Sequence, residues 1–180
     1  MVGIEATGIY AVAYQIGQVV DVILMSFRTA WTPWLYGMLS KEKSNKRKIV
    51  KLTYFLFVLI LVATICFYYL SLQLMPYLVG SEFVGASYYM LWIIIGFSFR
   101  GMYYLVFNYI TFVEKNKLLM SITLAIAVLN LLLNYILISR NGPIGAAQAT
   151  AISFFAEFVI CWLMCVKIFP MPWLLKNRGE

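Results

Sequence analysis

Four ionisable side chains stand inside apolar runs long enough to cross a bilayer: Asp21 and Arg28 in one, Arg100 in another, Glu157 in a third. A charge at the centre of a membrane helix costs about 2.5–3.5 kcal/mol on insertion scales, so such residues call for a partner, a water-filled cavity or a ligand. Arg100 offers the strongest chemistry, because a guanidinium presents a planar fork of donors that fits phosphate and keeps its charge when desolvated. Against that stands a buried ion pair with Glu157 or Asp21 that only fixes helix packing. For Arg28, contact with a phosphate or sugar competes with snorkelling to the membrane interface. Asp21 and Glu157 are candidates for ion coupling, since a carboxyl's protonation responds to burial and to a neighbouring arginine. Each is equally a plain counter-ion. Gln18, Asn130 and Asn134 carry amides that can bond sugar hydroxyls, with interhelical bonding as the competing role.

The first run, Gly8 to Leu39, sets the geometry these residues need. At ~100° per residue, Tyr14, Gln18, Asp21, Met25, Arg28 and Thr32 share one stripe, and Val12, Val19, Val22, Ile23 and Phe27 lie on other faces. That stripe is expected to look away from lipid. Asp21 and Arg28 are about 10 Å apart along the axis at 1.5 Å per residue, too far to satisfy each other. Each therefore needs a partner on another helix, water or a ligand.

The composition fits this setting: 63% of the 180 residues are hydrophobic, 12% are charged and the mean hydropathy is +0.87. A soluble domain is about 45–50% apolar and ~25% charged, so the chain reads as a polytopic membrane protein with an all-α helix bundle. Five spans are expected, at about 8–39, 52–79, 88–113, 118–139 and 145–166. The net charge of +7 is accounted for by loops rather than by nucleic acid, which is not expected as a partner. Ser40–Lys51 holds six Lys/Arg against one Glu, Glu114–Lys117 is a tight basic turn, and Lys167–Glu180 is a basic tail. By the positive-inside rule all three are cytoplasmic. Eleven Lys/Arg then lie inside and only Arg140 lies outside, with Arg28 and Arg100 in spans. This places the first residue outside, with no signal peptide, and an odd set of spans reads as the end of a longer protein.

Counted along their spans, Asp21, Arg100, Glu157 and Asn130 all come near the bilayer midplane, which suggests one site. Gly145, Ala149, Ser153 and Ala156 form a small-residue ridge for close helix approach. Trp31, Trp34, Trp92 and Trp173 read as interfacial anchors, with stacking on sugars as the alternative. Cys66, Cys161 and Cys165 read as packing residues, and with no histidine in the chain no metal site or cofactor is expected.

Two stretches carry a resemblance. Gly8–Pro33, with GIYAVAYQIG and the later AWTP, resembles the eighth helix of bacterial polysaccharide flippases. Asn130–Ser153, NLLLNYILISRNGPIGAAQATAIS, resembles the signature that joins the last two core helices of the same family, departing from it at Pro143 and Gln148. The family is the Wzx-type O-antigen flippases, in the superfamily that includes the multidrug exporters. The resemblance implies the last five of twelve helices of a two-bundle transporter, with the N-terminal bundle absent. The implied activity is movement of an undecaprenyl-diphosphate-linked oligosaccharide to the outer leaflet of the bacterial inner membrane, by ion-coupled alternating access. A polysaccharide polymerase and a chain-length regulator are the implied partners. The rival readings are a multidrug exporter, disfavoured for cationic cargo by two arginines in the spans, and a membrane polymerase or ligase. An enzyme is not expected, since the outer connections are short and histidine is absent.

Overall fold

In a bilayer, backbone donors and acceptors must be satisfied within the segment that carries them, which leaves a long apolar run the choice of helix or closed barrel. The computed structural model describes residues 4–41, 45–79 and 85–173, and these form helices α1 (Ile4–Leu39), α2 (Lys46–Val79), α3 (Ser87–Phe112), α4 (Asn116–Asn141) and α5 (Ile144–Ile168). No strand occurs among the described residues. All five helices are long and apolar enough to cross a membrane, so the chain is a multi-pass membrane protein with an all-α bundle.

The expected spans match these helices within about a turn except at α2, which begins six residues before the expected Leu52. The basic run Lys46–Lys51 is helical rather than loop. Asn45 starts it by accepting the Lys48 amide on its side-chain Oδ1 at 3.0 Å, an N-cap bond. The rest of the expected loop, at 42–44, lies outside the described residues, as do 80–84 of the expected outer connection and 174–180 of the expected tail.

Helix α3 is the centre. It packs most extensively on α5 and α1, and α2 meets it along part of its length, while α4 joins the bundle mainly through α5. Two glycines allow α3 to be flanked this closely. At Gly96 a Cβ would stand 3.1 Å from the Ala151 Cα of α5, and at Gly101 it would run into the Leu24 side chain of α1. On the other side of α5, the expected small-residue ridge faces α4: Ala149 and Ser153 are buried, and a Cβ at Gly145 would collide with the Leu137 backbone.

Two apolar clusters fill the bundle along its length. One gathers Ala13, Val20, Met75, Met90, Ile93 and Phe97. The other gathers Trp31, Leu35, Val50, Phe57, Tyr109 and Trp173 among others. The tryptophans divide accordingly. Trp34 is exposed and Trp92 half-buried, but Trp31 and Trp173 are core residues and not interfacial anchors. Trp31 is covered because α1 turns it toward α2 and α3. Trp173 is covered because the chain after α5 folds back, with Tyr54 Oη donating to the Trp173 carbonyl at 2.8 Å. The start of the expected tail is therefore part of the bundle. Cys161 and Cys165 are buried as packing residues, whereas Cys66 is exposed.

Candidate functional site

Arg100, Glu157 and Asn130 each occupy the middle of their helices, and with α5 parallel to α3 and α4 antiparallel to both they come to one level. They line a common cleft of about 310 Å³ together with Tyr14, Ser153 and Phe154. Asp21 reaches the same level from α1, its Oδ1 3.7 Å from Arg100 Nε. The four residues expected at one depth thus converge in space.

A tyrosine organises the charges. Arg100 Nε donates to Tyr104 Oη at 2.9 Å, and Tyr104 Oη donates to Asp21 Oδ1 at 3.1 Å. Arg100 and Tyr104 are one helical turn apart on α3, the spacing at which side chains stack. The Arg100 guanidinium also lies 5.0 Å from the centre of the Phe154 ring of α5. Arg28, at the next level of α1, stands over two rings of α3, 5.2 Å from the centre of Tyr104 and 4.5 Å from that of Phe107. Cation–π contact, worth about 0.5–2 kcal/mol, ties it to α3. A second seam lies below: Thr32 Oγ1 donates to Asn108 Oδ1 at 3.1 Å, and Asn108 Nδ2 donates to the Tyr104 carbonyl at 2.8 Å.

Glu157 differs from Asp21. It is 9% exposed, faces the cleft, and has no hydrogen-bond or ion-pair partner among the described residues. Arg100 lines the same cleft but is paired with Asp21. Asn130 is fully engaged: its Nδ2 donates to Ser153 Oγ at 3.0 Å and toward the Ala149 carbonyl at 3.5 Å. Asn134 Nδ2 in turn donates to the Asn130 carbonyl and Oδ1. The Asn130 amide binds α4 to α5, and Asn134 bonds to Asn130 from within α4. Of the polar stripe on α1, Tyr14, Asp21, Arg28 and Thr32 are half-buried along α3, while Gln18 and Met25 are exposed outside the cleft. A second hollow of about 240 Å³, between α1 and α2, is lined by apolar side chains such as Val20, Ile23, Phe27 and Leu59 and holds none of the charges.

Sequence reasoning missed Tyr104, Phe107 and Phe154. The i, i+4 spacing of Arg100 and Tyr104 was a signal for the first, but among so many membrane aromatics only the approach of α1 and α5 singles these three out.

Comparison with known proteins shows a partial likeness. The chain is 28% identical over 112 residues to "Lsg locus putative protein 1" of Haemophilus influenzae, covering 62% of this chain and 28% of that protein. The chain thus matches little more than a quarter of that relative's length. No family model matches the sequence, and no solved structure matches it.

Proposed function

We propose that these helices form one wall of a transporter that flips a diphosphate-linked lipid oligosaccharide across the bacterial inner membrane, with the first residue outside and the C-terminal end in the cytoplasm. The observation that carries this reading is the pairing of two guanidiniums, Arg28 and Arg100, around one buried tyrosine in the middle of the membrane helices, beside a polar cleft. Guanidinium matches phosphate in shape and charge. The site is balanced by two carboxyls, Asp21 and Glu157. With both ionised, the arginines are answered within the protein; with a carboxyl protonated, a net positive site is left for the diphosphate. Proton and lipid therefore influence each other's binding, as coupled transport requires. The wall works against an opposing bundle, by rocking about the midplane site.

The test is complementation. In the complete protein bearing these residues, Arg100→Ala is expected to abolish surface polysaccharide, and Arg100→Lys to retain part of it, because lysine keeps charge but loses the fork. Full export with alanine at equal protein level overturns the proposal.

A further inference from the structure

We infer that Tyr104 is a positioning residue that sets both arginines for one diphosphate group, an inference that rests on the phosphate reading above. Three observations on one side chain support it. Tyr104 is 6% exposed, so its ring is a fixed platform. Its hydroxyl accepts a hydrogen bond from Arg100 Nε and donates one to Asp21 Oδ1. Its ring carries Arg28, so both guanidinium carbons lie within 6.0 Å of one ring centre.

The choice of Nε matters. Guanidinium has five N–H donors, and a bidentate grip on phosphate is made by two that lie parallel. Among the described residues Arg100 hydrogen-bonds only through Nε, which leaves the pair of terminal nitrogens to a ligand. Were Asp21 to take the fork directly, as arginine and carboxylate do when nothing intervenes, those donors would be closed to phosphate. Tyr104 stands between them, holding the pair at 3.7 Å and the carboxylate at its own hydroxyl. It keeps the counter-ion near and the fork open. Arg28, lacking any hydrogen bond from its side chain among the described residues, is held by ring contact alone and presents all five donors. Two open guanidiniums supported by one ring suit two linked phosphoryl groups better than one.

The experiment takes the protein tagged in its own gene and purified from its own membrane, so that any further chain or partner comes with it. It is reconstituted in phosphatidylcholine nanodiscs and titrated with farnesyl diphosphate and farnesyl monophosphate. The parent is expected to favour the diphosphate. Tyr104→Phe keeps the platform for Arg28 but frees Asp21 to close on Arg100; it is expected to weaken diphosphate binding about tenfold, the worth of a hydrogen bond to a charged group, and to shrink the preference over monophosphate. Asp21→Asn in the Phe background removes the closing charge and is expected to restore the diphosphate affinity. A purely structural role for Tyr104 would lower thermal stability in step with affinity, and Asp21→Asn would then give no rescue; that result overturns the inference. So does parental affinity in Tyr104→Phe. Parental affinity in Arg28→Ala and Arg100→Ala instead overturns the phosphate reading itself.

Discussion

Asn130 and Glu157 open on the same cleft, yet they do opposite things. Asn130 has bonds to lose: its amide links α4 to α5 through Ser153 and Ala149. Interhelical side-chain bonds in membranes are worth about 0.6–2 kcal/mol. Asn130→Leu is therefore expected to lower thermal stability by about 1 kcal/mol, read by unfolding in nanodiscs, and to leave farnesyl diphosphate binding unchanged. Glu157 has no such bond, so Glu157→Gln, which keeps the shape and removes the charge, is expected to leave stability unchanged and to stop pH-driven export. A marked loss of stability would make Glu157 a packing counter-ion. The charges themselves were legible in the sequence, because an ionisable residue in an apolar run stands out whatever surrounds it. Their partners were not. The polar stripe marks which face α1 turns inward, but whether Arg100 meets Asp21 or Glu157 also depends on the rotation of α3 and α5, which their apolar faces leave unmarked.

At the scale of elements, span number, length and order follow directly from hydropathy and charge, since a bilayer imposes both. What hydropathy does not encode is which helix lies in the middle. The hydropathy of α3 is below that of α2, α4 and α5, and the helix even holds Arg100. Its place follows from Gly96 and Gly101, which let two helices approach it at once. Gly96→Leu is therefore expected to destabilise the bundle by about 1–3 kcal/mol through overpacking against Ala151. Gly37 is the control. It is also helical, but a Cβ there meets nothing within 4 Å, so Gly37→Ala is expected to be neutral or to stabilise by up to ~1 kcal/mol. Equal effects at the two sites, measured by thermal unfolding, would remove the close-approach argument. The early start of α2 and the return of Trp173 were likewise hidden, since a basic run and a short tail read as loop until Asn45 caps one and Tyr54 binds the other.

At the scale of the whole molecule, helix α1 exposes amides in mid-helix that lipid does not satisfy. Most exposed side chains are what a bilayer accepts: Val58 and Leu59 on α2, Leu124 and Leu131 on α4, Leu163 on α5. On helix α1, exposed Val22 and Ile23 stand beside exposed glutamines. Gln15 and Gln18 are exposed and make no hydrogen bond among the described residues; Gln18 stands about 60° round the helix from Asp21 and Gln15 about 120°. Ser26 and Thr29 bond back to the carbonyls of Val22 and Met25 and so tolerate lipid, but a glutamine amide left bare in hydrocarbon costs several kcal/mol. On the transporter reading proposed above, this flank of α1 lines the cavity and meets water at some stage of each cycle. Cysteines placed singly at 15, 18, 58 and 131 and treated in intact cells with a membrane-impermeant maleimide test it. Gln15→Cys and Gln18→Cys are expected to label well above the parent background, and Val58→Cys and Leu131→Cys to stay at it. A ligand that fills the site, farnesyl diphosphate, is expected to slow labelling at 18, about one helical turn from Asp21, more than at 15. If positions 15 and 18 label no faster than 58 and 131, the glutamines are covered by protein throughout, and α1 is an interface between bundles instead of a cavity wall.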